Sequence, residues 1–345
     1  MPDIRSVFPS LIGNDPLKKI LGGDILAGKL GHAYILEGPA GSGRHTAALA
    51  ASSALSCENR QSSSHSLPCS QCLVCRKIAG GISPDVLFIR RPEDKATISV
   101  EQIRSLREDL YIAPNENEKK VYIIEEADKM TVQAQNALLL SLEEPPPYVV
   151  FFLLTENAMA LLETIRSRAP ILRMQLFDAE TIVSLLKRDR RYAALALSDP
   201  DFFAESVTAG GGALGQTEKL LSRDDPDNAD YLQLHSDAAR FISLLFTKDP
   251  AAASQTLLSL PKSREDVLHL LRLVLLALRD LCVCKKNADV PMMFFLSREE
   301  CRPVLEKTGL RRLTAAYEAL TEAYTDIQNN ASVQTVCTAL LMQKY

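Results

Sequence analysis

The sequence predicts an α/β module with a parallel sheet and helices on both faces, followed by all-helical segments. Three observations point there. Short apolar runs of strand length alternate with helical patterns through the first half, a glycine-rich turn joins one such run to a helix, and the strand-like runs stop at about residue 177. Strands separated by helices in this rhythm need crossover connections, and crossovers make parallel sheets.

Taken in order, "HAYILEG" (32–38) reads as a strand leading into a glycine loop, and "HTAALAASSAL" follows as a small-residue helix. "DVLFIR" (85–90) and "KVYIIEE" (120–126) are further buried strands. "TVQAQNALLLSLEE" (131–144) is a helix with Thr131 as its N-cap and "PPP" (145–147) as its stop. "YVVFFLLT" (148–155) and "ILRMQL" (171–176) complete the strands. A ligand of such a sheet lies beyond the carboxyl ends of the strands. Residues 178–221 form a helical unit interrupted by "GGGALG" (210–215), and "SRDDPDNAD" (222–230) has the polar, proline-containing character of a linker. From 231 onward the pattern is helical, including "LRRLTAAYEALTEAYTDIQ" (310–328).

The chain has 345 residues, enough for two or three domains. Its 39 basic and 43 acidic side chains leave a net charge of −4, which excludes a surface that binds nucleic acid all over. "DVLHLLRLVLLALRDLCVC" (266–284) is the most apolar long stretch, but Arg272, Arg279 and Asp280 interrupt it. It reads as a buried or interface helix, not a membrane span. The start, "MPDIRSVFPSLIGND", lacks the layout of a signal peptide, so the expected compartment is the cytoplasm. There the eight cysteines point to metal binding before disulfides.

"GPAGSGRHT" (38–46) is nearly a phosphate-binding loop of the form G-x-x-x-x-G-K-[ST]. Gly38, Gly41 and Gly43 supply glycines, with Gly38 and Gly43 at the two motif positions. Arg44 stands where the lysine belongs, and His45 where the Mg²⁺-binding hydroxyl belongs. Backbone N–H groups at a helix start can still hold phosphate. The wide guanidinium does not reproduce a compact ammonium, and imidazole is a poor ligand for a hard ion. Thr46 comes one residue late, about 100° further round the helix. The acids opposite are Glu125 and Glu126, at the end of an apolar strand where an Asp-Glu pair is expected. The expectation is a weakened ATP and Mg²⁺ site.

Cys57, Cys69, Cys72 and Cys75 are spaced C-x11-C-x2-C-x2-C. Four thiolates so placed form a closed tetrahedral zinc site, structural because no position is left for water. His65 is the alternative to Cys57 as the fourth ligand. Cys282, Cys284, Cys301 and Cys337 read as buried small hydrophobes, His32 as the start of a strand, and His235 and His269 lie in helical patterns without ligand partners. Arg168, in "TIRSRAPIL", reads on its residues as a surface ion pair with Glu163 or another acid.

Together, "GNDPLKKIL" (13–21), "HAYILEGPAGSGRHTAA" (32–48), the cysteine cluster, residues 99–146 through "QNALLLSLEEPP", and "IRSRAPIL" (165–172) resemble the bacterial clamp-loader AAA+ family of DNA polymerase III, in its delta-prime branch. The resemblance is strong in the first half and one of helical character in the second. It implies an AAA+ module over 1–177 with a zinc module at 57–75, a small helical lid over 178–228, and an all-α collar over 229–345. It implies a non-motor subunit in a hetero-pentamer with gamma/tau motor subunits and a delta subunit. Clamp and primed DNA would be met through the complex, with no membrane partner. The chain would belong to the polymerase holoenzyme without being the polymerising chain, and its own ATPase would be weak or absent. By the same resemblance Arg168 belongs to a Ser-Arg-Cys motif that reaches a neighbour's γ-phosphate, although the third position here is Ala169. The zinc cysteines match with a longer first gap. "AGGGALG" (209–215) lacks the arginine that motors carry there as a second sensor. The alternative is an active motor of gamma/tau type or another AAA+ remodeller, with Arg44 in the lysine's role. A third reading is a zinc-dependent adaptor with no nucleotide role.

Overall fold

The computed structural model describes residues 7–342 apart from 63–64, 93, 223–226, 247–260, 262, 287–289 and 329–330. The chain divides into two compact units, Met1–Gln175 and Leu176–Tyr345.

In the first unit, α1 (Asp15–Ala27), α2 (Arg44–Leu55), α3 (Leu73–Ala79), α4 (Val100–Leu110), α5 (Val132–Glu143) and α6 (Glu163–Arg166) surround a five-stranded sheet. Its strands are β1 (Ala33–Glu37), β2 (Val86–Ile89), β3 (Lys120–Ile124), β4 (Val149–Thr155) and β5 (Ile171–Arg173). They lie in the order β2-β3-β4-β1-β5, and every pairing is parallel. Alternate residues feed two different cores. Tyr34, Leu36, Val121, Ile123, Phe152 and Leu154 pack with residues of α1, α2 and α3. Ala33, Ile35, Tyr122, Ile124, Phe151 and Leu153 pack with residues of α4, α5 and α6. With both faces covered, a strand must be apolar throughout, which is why β4 reads VVFFLLT and is buried along its length.

The strand order puts β1 between β4 and β5, so the chain leaves β1 to one side and later returns to the other. That reversal opens a crevice beyond the carboxyl end of β1. The fifth strand is shorter than the run 171–176. Met174 still donates to the Glu37 carbonyl at 2.7 Å, but Gln175 turns to a reciprocal pair with Asn14. Thr131 caps α5 as expected, accepting from the N–H of Ala134. Helices α1, α3 and α4 lie outside the elements that the sequence pattern predicts, although Ser99 and Gln102 form a capping box at the start of α4.

The second unit is helical among the described residues. Helices α7 (Ala179–Leu186), α8 (Arg190–Ser198), α9 (Pro200–Ala209) and α10 (Leu214–Leu221) contribute to one apolar cluster around Ile182, Phe203 and Leu221. Helices α11 (Asp227–Leu245), α12 (Arg264–Lys285), α13 (Arg302–Leu305), α14 (Leu310–Gln328) and α15 (Val333–Met342) share a larger one. Of the linker stretch 222–230, residues 223–226 lie outside the described residues, and α11 already begins at Asp227. Helix α12 covers the apolar 266–284 stretch, and its Leu270, Leu271, Val274, Leu278 and Leu281 are buried. Among the described residues no helix is long and apolar enough to cross a membrane.

Candidate functional site

The glycine loop sits where the sheet reverses. Gly38 donates to the carbonyl of Thr155 at 3.1 Å, tying the end of β1 to the end of β4. A Cβ on Gly38 would stand 2.6 Å from Ser42 Oγ and 2.8 Å from Met174 Cβ, so only glycine fits. Gly43 turns the chain into α2 with φ 93°, a conformation costly for other residues. No side chain caps α2, leaving the positive end of the helix at the crevice.

The side chains there are tied to internal acids. Arg44 is largely buried, and its Nη2 donates to Glu156 Oε1 at 3.4 Å. Its Nη1 is buried without a hydrogen-bond acceptor. Burial lowers the Arg44 pKa, and Glu156, Asp128 and Glu126 work against that shift. His45 Nδ1 lies 2.9 Å from Glu125 Oε1, and the ring stacks on Phe88 with centroids 5.5 Å apart. Arg90 reaches the other Glu125 oxygen at 3.0 Å. Burial pushes the Glu125 carboxyl up, but the hydrogen bonds from His45 and Arg90 outweigh it and hold the group below its ordinary value. Glu126, with φ 49°, pairs with Arg91 at 3.1 Å. Thr46 is exposed on the helix surface.

Thr155, missed in the sequence, is fully buried and donates to Asp128 Oδ1 at 2.8 Å. The signal was a hydroxyl ending an otherwise apolar strand. Chemically, the loop keeps the backbone of an anion site, while its cations already hold carboxylates. The positions that would share a Mg²⁺ ion, His45 and Glu125, instead bind each other.

The cysteines converge. One sulfur from each of Cys57, Cys69, Cys72 and Cys75 lies within 4.8 Å of the others. A tetrahedral ion with metal–sulfur distances of about 2.3 Å wants sulfurs about 3.8 Å apart, and Cys69 Sγ and Cys75 Sγ are 4.0 Å apart. The donor set therefore fits a metal ion. Cys72 caps α3 by accepting from the N–H of Cys75, and Cys69 accepts from the N–H of Cys72 and from Asn59. Burial opposes ionisation of Cys69, but these hydrogen bonds bring it down to about 6. Burial pushes Cys75 up. His65 is exposed, pairs with Ser62 at 3.3 Å and is not part of the sulfur group.

Arg168 follows α6. Its Nη2 lies 2.9 Å from Glu143 Oε1, and its Nη1 donates to the Thr164 carbonyl and the Ser167 hydroxyl. The ion pair is thus with Glu143 of α5, not Glu163. Gln135, buried at the start of α5, donates to the carbonyls of Met130 and Ala160 and accepts from Leu162 N–H. One helix therefore anchors both ends of the segment that carries the arginine. At the triple-glycine turn an arginine does stand close, but it comes from α12: Arg272 Nη2 would lie 3.4 Å from a Cβ on Gly211.

Residues 13–178 match the protein-family model described as DNA polymerase III, delta subunit. The chain is 33% identical over 180 residues to the DNA polymerase III subunit gamma of Buchnera aphidicola subsp. Schizaphis graminum, covering 52% of this chain and 48% of that one. It is 34% identical over 177 residues to the subunit tau of Bacillus subtilis (51% and 30%), and 36% identical over 164 residues to the subunit delta' of the same organism (48% and 48%). The chain spans about half the length of the curated gamma and delta' relatives it matches, and less of tau. Among solved structures, a gamma subunit-related protein of Thermotoga maritima is 19% identical, with 94% and 97% of the two chains covered and a TM-score of 0.40. The Thermotoga maritima RuvB Holliday junction branch migration motor is 17% identical, with 74% and 85% covered and a TM-score of 0.42. Over residues 13–178, the chain is thus similar to clamp-loader subunits of DNA polymerase III.

Proposed function

We propose that the chain is a delta-prime-type, non-motor subunit of a DNA polymerase III clamp loader, helping to load the sliding clamp onto primed DNA. The observation that carries this reading is the His45–Glu125 contact of 2.9 Å, which joins the two positions where a motor would hold Mg²⁺. Arg44, already paired with Glu156, adds a second internal substitute for nucleotide. A subunit whose loop is closed in this way works as a rigid member against which gamma/tau motors and a delta subunit move in a hetero-pentamer. Arg168 then serves the neighbour's site in trans, Cys57, Cys69, Cys72 and Cys75 hold a structural zinc, and 178–228 and 229–345 act as lid and collar. The compartment on this reading is the cytoplasm.

The test is a reconstituted loader carrying Arg168→Ala. An arginine donated in trans is worth on the order of 10³-fold at the site it serves. The variant should assemble normally and lose that site's share of the clamp- and DNA-stimulated ATPase. Unchanged turnover would sink the trans role. A gamma/tau-type motor is the second reading, favoured by the near-equal identity to gamma and tau relatives. It requires Mg-ATP hydrolysis by this chain's own loop.

A further inference from the structure

Helix α5 ends on an acid that its own helix does not want. Glu143 and Glu144 stand at the carboxyl terminus of α5, where the macrodipole disfavours negative charge, and no basic residue occupies the last turn. The compensating cation comes from Arg168, whose Nη2 lies 2.9 Å from Glu143 Oε1. The rest of the guanidinium is held on a different atom. Nη1 donates to the Thr164 carbonyl at 3.0 Å and to the Ser167 hydroxyl at 3.3 Å. Both of those acceptors belong to the segment that carries the arginine. Nε has no acceptor among the described residues, so the Nε/Nη2 edge holds one carboxylate oxygen where it can hold two.

We propose that Glu143 is the positioning residue of Arg168. It keeps the guanidinium aimed in the free chain and yields the Nε/Nη2 edge to two oxygens of a neighbour's terminal phosphate. This rests on the reading of Arg168 as a trans-acting arginine. The exchange is favoured because the pair is partly exposed on both sides, and such pairs are weak and screened. A terminal phosphate brings more charge and a second oxygen to the same edge. The Nη1 contacts need not break, so the arginine stays tethered while its partner changes. Gln135, which fixes residues 160–162 at the other end of α5, keeps the tether in register.

The experiment measures kcat and KM for ATP of the reconstituted loader, with clamp and primed DNA, carrying the full chain as wild type, Glu143→Gln, Glu143→Ala or Arg168→Ala. Melting temperatures serve as the folding control. Glu143→Gln keeps an acceptor without the charge and should hold kcat within about twofold of wild type. Glu143→Ala removes the guide and should lower kcat by up to about fivefold at unchanged KM, the scale of a partly exposed ion pair. Arg168→Ala should fall much further. A Glu143→Ala enzyme equal to wild type would make Glu143 a spectator and overturn the proposal. So would a Glu143→Gln enzyme as impaired as Arg168→Ala, because the charge itself would then be required. If Arg168→Ala alone leaves kcat unchanged, the trans reading of the arginine fails first and takes this proposal with it.

Discussion

His45 Nδ1 lies 2.9 Å from Glu125 Oε1, so the helix start and the acidic strand end are joined without a metal. Arg90 and the Phe88 ring hold the same two residues from the other side. Undoing the clasp should therefore uncover a latent site. The triple substitution Arg44→Lys, His45→Thr and Glu125→Asp restores the residue types that the loop pattern asks for. By calorimetry it should bind ATP more tightly with Mg²⁺ than without, a difference that the wild type should not show. A rebuilt loop that still ignores Mg-ATP would mean that the obstruction lies in the backbone.

The sulfur cluster predicts one zinc per chain by metal analysis. Because Cys57, Cys69 and Cys75 are part of the same apolar core as Leu67 and Ile78, metal loss should loosen the first unit as a whole. Structural zinc contributes on the order of 10 kcal/mol to small sites. Chelation or Cys72→Ser should therefore give a large drop in melting temperature. A folded, equally stable protein with far less than one zinc would refute the role.

His235 makes the second unit acid-sensitive. Its ring stacks on Phe294 at 4.4 Å, its Nε2 is buried without a partner, and burial lowers its pKa to about 4. The unfolded chain takes up a proton below about pH 6.5, while the folded chain refuses it until about pH 4. Stability is then full above pH 6.5 and falls as pH drops towards 4, by roughly 3 kcal/mol. His269, pushed down to about 3 by burial and then Arg272, adds a loss of the same sign. Urea denaturation across this range should show the slope, and His235→Phe should flatten part of it.

Asp280 is the polar centre of the helical half. It is fully buried, and its Oδ2 accepts from the N–H groups of Met293, Phe294 and Phe295, while Oδ1 takes Arg279. Asp280→Ala orphans three backbone donors, while Arg279 keeps the Pro291 carbonyl, and should cost about 3–5 kcal/mol. Denaturation of the variant checks this. A loss under 1 kcal/mol would show that water replaces the carboxylate.

The strands and the long helices were legible because their chemistry is local. A sheet buried on both faces needs unbroken apolar runs, and "VYII" and "VVFFLL" could be little else. The four cysteines were legible by spacing. What the sequence hid was pairing across distance. Glu143 and Arg168 are 25 positions apart, Arg44 and Glu156 are 112 apart, and no periodicity links them. The strand order that brings Thr155 beside Gly38 was equally invisible. Helix α4 is hard to see in the sequence despite its Ser99–Gln102 box, because its apolar stripe is thin: only Ile103, Leu106 and Leu110 are buried.

The most direct test is single-turnover hydrolysis of Mg-ATP by the purified chain alone. With His45 and Glu125 bound to each other, the predicted result is no measurable turnover, whether or not nucleotide is retained. Brisk hydrolysis would contradict the account: the loop would be a working motor site, and the His45–Glu125 contact would have to open with every cycle.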